Sequence, residues 1–365
     1  MVSKLNAIIL AIAFGVFIVP VAAVDDARSP VPEIGATVVR QDRYPAQDVS
    51  FPNHVKGVPG IVYWTQLGYR PLRLDLYLPP DSMARPASGF PTVIFLHSGG
   101  WRGGDLRRNG VYVDFPGLLA SLSARGYVVA SIEFRLSGEA VFPAQIQDVK
   151  AAIRWLRLHA PEYGIDPARA MTWGTSSGGH LAALAAVTCH EPAFDPVPGS
   201  GSSPAAKSEA IALSGISDCV QGSVSWFGVY DMATIAAQSR QDKAMSRDVP
   251  EAPEWRLLGC FADQCKPAQI AAASPVTYIQ ANEPPMLLVV GSEDTTVPYH
   301  QTLEMADRLK SAGAPYEILV LQGVDHDFIG KTLEQTRDPN LKALAATFRF
   351  FDETIGKGSH TGLRP

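Results

Sequence analysis

The sequence predicts an α/β fold: a mostly parallel, doubly wound sheet of about eight strands with a small cap. Three observations carry this. Short apolar runs alternate with helical segments from Ile61 to Ile355, the order of strand–helix–strand units joined by right-handed crossovers. Several runs, Thr92–Leu96 and Tyr127–Ile132 among them, are apolar throughout, as in strands covered on both faces. One strand end, Met171–Trp173, breaks at a Gly-x-Ser-x-Gly turn and continues as an alanine- and leucine-rich helix, His180–Val187.

Residues 1–23 stand apart from the fold. Lys4 supplies a short positive region, Ala7–Val19 is apolar, Pro20 interrupts it, and Val21-Ala-Ala23 offers the small residues of a cleavage site, so a signal peptide and export are expected. An uncleaved membrane anchor is the alternative; Gly15, Pro20 and the following Asp25-Asp26 weaken it. Residues 24–60 are proline-rich and lack periodicity, which reads as an N-terminal arm before a domain over 61–365.

Ile61–Gln66 and Leu72–Leu78 are strand-like. In the second, Leu72, Leu74, Leu76 and Leu78 alternate with Arg73, Asp75 and Tyr77, as in an outer antiparallel hairpin with one wet face. The helix Ala144–His159 puts Ile146, Val149, Ile153, Leu156 and Ala160 on one stripe, opposite Gln147, Lys150, Arg154 and Arg157. Later strands are Val224–Phe227, Met286–Val290 and Tyr316–Leu321, with helices at Gln301–Ala312 and Leu341–Ile355. Residues 190–210, rich in Pro, Gly and Ser, read as a surface loop. Residues 231–275 are too long for one crossover and are expected to form the cap.

The formal charge of −5 becomes −6 without the signal, which argues against nucleic acid or an anionic membrane as partner. Stable membrane association is not expected after cleavage. Four cysteines in an exported chain point to disulfides. The expected pairing is Cys189 with Cys219 and Cys260 with Cys265, one of three connectivities. A zinc site is the alternative, disfavoured because neither pair has Cys-x-x-Cys spacing.

The turn at Gly174-Thr-Ser176-Ser-Gly178 carries the candidate chemistry. A serine at such a turn is exposed at the top of the sheet with a helix N-terminus beside it. It becomes a nucleophile only if a base takes its proton, an acid orients the base, and donors hold the oxyanion. Where these come in the order Ser, acid, His, each after a strand, the places are filled by Ser176, Asp294 after Met286–Val290, and His326 after Tyr316–Leu321. Glu293 is the rival acid. Asp325 and Asp327 are too close to His326 in sequence to orient its ring, and His180 reads as a packed core residue. Oxyanion donors are expected from the amides of Gly99 and Gly100, in His97-Ser-Gly-Gly-Trp101, together with Ser177. Trp101, Phe142 and Trp226 are expected to line the mouth and stack on a flat acyl group or sugar. No metal and no cofactor are called for.

The run from Phe142-Pro-Ala-Gln-Ile-Gln-Asp, then Tyr163-Gly-Ile-Asp-Pro, the Gly-x-Ser-x-Gly-Gly-His elbow, Ala273-Ser-Pro-Val-Thr-Tyr and Asp294-Thr-Thr-Val-Pro together resemble the α/β-hydrolase esterases related to hormone-sensitive lipase. Within them the sequence is most similar to the bifunctional acetylxylan/feruloyl esterase-like group. The resemblance implies a triad of Ser176, Asp294 and His326 and an oxyanion loop at Gly99 and Gly100. It departs at Ser98 and Asp327, where glycine is usual. It implies a serine carboxylic ester hydrolase acting on short acyl or compact aromatic acyl esters, small or linked to plant polysaccharide. A prolyl-type serine peptidase usually carries a further large domain, and a non-catalytic binding protein on this scaffold would show a lost triad member. The oligomeric state is not legible.

Overall fold

The apolar runs assemble into one sheet in the computed structural model, which describes residues 48–66, 68–197 and 204–356. The expected signal peptide and most of the expected arm lie outside the described residues. The strands are β1 (Val49–Phe51), β2 (Val55–Trp64), β3 (Leu72–Leu78), β4 (Phe90–Leu96), β5 (Val128–Ile132), β6 (Ile165–Thr175), β7 (Gly222–Trp226), β8 (Met286–Gly291) and β9 (Tyr316–Leu321). Their order is β1-β2-β3-β5-β4-β6-β7-β8-β9. β1, β2, β3 and β5 pair antiparallel, and from β5 onward every pairing is parallel.

Helices cover both faces, which is why β4, β5, β7 and β8 are buried along their whole length. Alternate side chains of β4 divide between two cores. Ile94 and Leu96 join the layer packed by α2 (Ala144–Leu158) and α4 (Ser177–Val187), whereas Val93 and Phe95 join Phe115 and Leu119 of α1 (Phe115–Ser123). α3 (Ala160–Tyr163) leads into β6, and α5 (Pro204–Ser214) precedes β7. Between β7 and β8 lie α6 (Ile235–Asp242), α7 (Pro253–Leu258) and α8 (Pro267–Ala272); α9 (His300–Ala312) and α10 (Leu333–Thr354) flank β9.

The structure corrects several local readings. β2 begins at Val55, inside the expected arm, because the register shift between Val58 and Ile61, at Pro59-Gly60, hides its alternation. The side of β3 expected to be wet is buried beyond Arg73: Tyr77 packs on Phe51 at 5.3 Å, and Asp75 accepts from the Gly60 amide at 2.7 Å and pairs with Arg107. α2 is buried on its charged side too. Lys150 and Arg154 both reach Asp218, and the Lys150 ammonium lies 3.2 Å from its carboxylate. Residues 190–210 are not all loop, since a 3-10 turn at Pro192–Phe194 and the start of α5 fall within them. α10 begins at Leu333, capped by Thr332, rather than at the expected Leu341, and runs through Pro339.

Two disulfides join Cys189 to Cys219 and Cys260 to Cys265, as the spacing predicts. The first closes the neck of the excursion between α4 and β7. Among the described residues no helix is long and apolar enough to cross a membrane.

Candidate active site

β6 ends at Thr175 and α4 begins at Ser177, leaving Ser176 alone at the corner with φ 54° and ψ −119°. That conformation is strained for a residue with a side chain, of order 1–3 kcal/mol. The turn closes only because its neighbours are glycine. A Cβ on Gly174 would lie 2.1 Å from Gly178 O, and one on Gly178 would lie 2.0 Å from Leu96 O. The corner is pinned: the Ser176 amide donates to Trp226 O at 2.9 Å, and Thr175 Oγ1 donates to Asn109 Oδ1 at 2.7 Å. Ser176 is 8 % exposed. Its hydroxyl makes no hydrogen bond among the described residues.

Asp294 follows β8, with its carboxylate buried. Oδ1 accepts from the amides of Thr296 at 2.9 Å and Val297 at 2.8 Å, and Oδ2 accepts from His326 Nδ1 at 2.8 Å. Because a carboxylate only accepts, Nδ1 carries the proton and the neutral ring keeps Nε2 as a free base. The neighbouring Glu293 side chain is exposed, so the buried acid is Asp294. Phe227, next after the residue that accepts from the Ser176 amide, packs on the imidazole with ring centroids 4.4 Å apart. Ser176, Asp294 and His326 thus lie beyond the ends of β6, β8 and β9, with only β7 between the first two strands and β8 beside β9.

Burial disfavours a charged imidazole, but the hydrogen bond and charge of Asp294, helped by Asp327 and Asp325, outweigh it and hold the His326 pKa above 6.5. Burial raises the Asp327 carboxyl, helped by Asp294 and Asp325 and opposed by His326. Asp327 has φ 56°, a backbone region that explains why glycine suits this position. Asp325 does not touch the imidazole in the hydrogen-bonded sense; its carboxylate accepts from the Thr295 and His326 amides, both at 2.6 Å, and so ties the two loops together.

Gly99 and Gly100 follow β4 with φ 125° and 61°. A Cβ on Gly99 would lie 2.2 Å from Gly103 O. The turn is held by Arg102 and Gly103 amides donating to Gly99 O at 3.1 and 3.2 Å. His97 is structural, as expected: Nδ1 bonds Ser98 O at 2.8 Å and the ring stacks on Phe134. Ser177 starts α4, where first-turn amides have no partner within the helix.

The three expected mouth aromatics fare differently. Trp101 and Trp226 are each 1 % exposed. The Trp101 indole N–H donates to His180 Nδ1, and that of Trp226 to Thr347 Oγ1 of α10, with Trp173 and Phe328 packed on its ring. Their rings are spent on the core, and the expectation that they stack on substrate is corrected. Phe142 is half-buried and packs edge-on against Phe194 at 5.5 Å.

Sequence reasoning missed Arg247. Fully buried, it pairs with Glu254 and donates to Thr296 O at 2.7 Å, fastening the segment before α7 to the Asp294 turn. On the other side, Pro253 would lie 3.3 Å from a Cβ on Gly100. The segment between β7 and β8 therefore touches both the acid turn and the glycine loop. No local pattern in the sequence signals that contact. A cavity of about 340 Å³, lined by Asp231, Ile270, Ser274, Thr277 and Arg308 among others, contains none of the three candidate catalytic residues.

Residues 74–309 match the BD-FAE family. The chain belongs to the BD-FAE family. BD-FAE membership accords with the α/β-hydrolase sheet order and with similarity to named esterases. Esterase LipQ of Mycobacterium tuberculosis is 30 % identical over 247 residues, 68 % of this chain and 52 % of the relative. The chain spans about half the length of the curated relatives it matches. Among solved structures, a truncated carbohydrate esterase from gut microbiota is 26 % identical with TM-score 0.65, covering 82 % of this chain and 96 % of that one. The butyrate-bound structure of the thermophilic esterase Est2 from Thermogutta terrifontis is 25 % identical with TM-score 0.59, covering 81 % and 94 %.

Proposed function

We propose that this BD-FAE chain is an exported serine carboxylesterase cleaving short acyl or compact aromatic acyl esters, small or carried on plant polysaccharide. The observation that carries the reading is the Asp294–His326 bond at 2.8 Å, which leaves Nε2 basic beside the strand ends that present Ser176. In the scheme, Ser176 Oγ attacks the ester carbonyl as His326 Nε2 takes its proton. The amides of Gly99, Gly100 and Ser177 receive the oxyanion, and the protonated ring returns the proton to the departing alcohol. Water, deprotonated by His326, then releases the acid from the acyl-serine. Asp294 orients the imidazole and stabilises its charge.

The names of the relatives support ester hydrolysis. A carbohydrate esterase and a butyrate-bound esterase of the same fold favour short acyl groups and sugar alcohols. Two disulfides fit an oxidising compartment and favour export. The reading is tested with p-nitrophenyl esters of graded chain length, methyl ferulate and acetylated xylan. Rates are expected to peak at about two to four acyl carbons, as for a small dry pocket; a maximum at about twelve or more would overturn the substrate class. Ser176→Ala is expected to lower kcat about a million-fold with folding intact, and a folded variant keeping a few per cent of turnover would sink the mechanism.

A further inference from the structure

His180 stands one helical turn beyond Ser176, its amide donating to Ser176 O at 3.0 Å, and is wholly buried. Both ring nitrogens are engaged. Nδ1 accepts from the Trp101 indole N–H at 3.2 Å, and Nε2 donates to Ala273 O at 2.8 Å. The two rings meet edge to face with centroids 5.1 Å apart. An indole N–H only donates and a carbonyl only accepts, so these bonds fit a single protonation state, the neutral ring with its hydrogen on Nε2. Burial pushes the His180 pKa down to about 4, which keeps that state dominant at neutral pH.

Resting on the reading of Ser176 as an ester-cleaving nucleophile, we infer that His180 is a positioning residue whose ring locks the oxyanion loop, through Trp101, against the nucleophile helix. Trp101 directly follows the glycine pair, and Gly99, Gly100 and Trp101 have φ of 125°, 61° and 54° in succession. Left-handed backbone at a tryptophan is costly and persists only where its surroundings impose it. Its ring packs in the core, and two hydrogen bonds among the described residues hold it: Ser137 N donates to Trp101 O at 2.7 Å, and the indole N–H donates to His180. The proposed donors come from two separate segments, Gly99-Gly100 after β4 and Ser177 on α4, and they must meet at one oxygen within a few tenths of an ångström. His180 lies on the same helix as Ser177, three residues on, so its ring is a short rigid link between the two halves. The bond to Ala273, just after α8, fixes the orientation of the ring.

The test is steady-state hydrolysis of p-nitrophenyl butyrate, below the melting temperature, by His180→Leu, His180→Asn, Trp101→Phe and the pair His180→Leu with Trp101→Phe. Leucine removes both bonds, phenylalanine removes the indole donor, and asparagine places Oδ1 near the position of Nδ1 and retains the acceptor. His180→Leu and Trp101→Phe are expected to lower kcat about 100-fold with KM changed less than about threefold, and the pair no further than the worse single variant. His180→Asn is expected to stay within about tenfold of the parent kcat. A histidine that only packs the core would lower Tm and leave kcat of the folded protein unchanged. Near-parental kcat in folded His180→Leu or Trp101→Phe, or His180→Asn as impaired as His180→Leu, overturns the inference; if His180→Leu does not fold, Trp101→Phe decides. Ser176→Ala separates the two claims: if it abolishes turnover while the His180 and Trp101 variants stay fast, only the positioning role fails, whereas an active Ser176→Ala removes the reading beneath it.

Discussion

Asp294→Asn isolates the tautomer of His326. The amides of Thr296 and Val297 both donate to Asp294 Oδ1, at 2.9 and 2.8 Å. An asparagine that turned its NH₂ toward them would leave two buried donors facing a donor, at about 1–3 kcal/mol each. Its oxygen therefore stays on the amides and its NH₂ faces His326 Nδ1. Nδ1 must then present a lone pair, the ring hydrogen moves to Nε2, and the group that should accept the serine proton is blocked. The expected loss in kcat is on the order of ten thousand-fold, equivalent to about 5.5 kcal/mol of transition-state stabilisation. Since both amide bonds survive, Tm is expected to move by no more than about 5 °C. Glu293→Gln, at an exposed position, is the control and should stay within about twofold of the parent. The assay is initial-rate hydrolysis of p-nitrophenyl acetate alongside thermal melts. A folded Asp294→Asn keeping more than about a tenth of the parent kcat, or a larger loss in Glu293→Gln, would refute the reasoning.

Gly178→Ala puts a methyl 2.0 Å from a backbone oxygen and should cost about 3 kcal/mol, the upper end for overpacking, with ester turnover collapsing as the corner opens; a melt and rate matching the parent would contradict the steric account. In the proposed mechanism the base is a neutral His326 whose pKa is raised, so kcat/KM should climb with pH through a limb centred above 6.5, and Asp327→Asn should move that limb to lower pH; an unmoved limb would show that the Asp327 charge is not felt. By the same shift, the stability that charged His326 adds is present below about pH 6.5 and lost as pH rises through the folded-state value. Reducing the Cys189–Cys219 link, which closes a separation of 30 residues, should cost roughly 3–4 kcal/mol in the loop-entropy account and the shorter ring about 2; mass spectrometry finding four free thiols in exported protein would contradict the pairing.

Much of the geometry of the candidate site was legible because its signals are local. The elbow needs glycine two residues either side of Ser176, and the clashes at Gly174 and Gly178 show the steric reason. Apolar runs of parallel-strand type placed β4, β5 and β8 within a few residues, since burial on both faces leaves little choice of side chain. Asp294 and His326 were found by their places after late strands.

The tertiary structure decided what depends on contacts distant in sequence. Glu293 and Asp294 are adjacent carboxylates, and what separates them is the bond from Asp294 to His326, 32 residues further along the chain. Lys150 and Arg154 look like a solvated helix face until the disulfide-closed excursion brings Asp218 against them. Trp101 and Trp226 have the chemistry of a substrate platform, but where an aromatic ring points is set by its partners, and His180 and Thr347 claim their N–H groups. Periodicity and spacing therefore specified the sheet and singled out three candidate residues at its strand ends, because backbone sterics and two-sided burial constrain sequence locally. Which acid is buried, which charge is paired and which ring faces inward were fixed by groups dozens of residues apart along the chain, whose meeting no local pattern encodes.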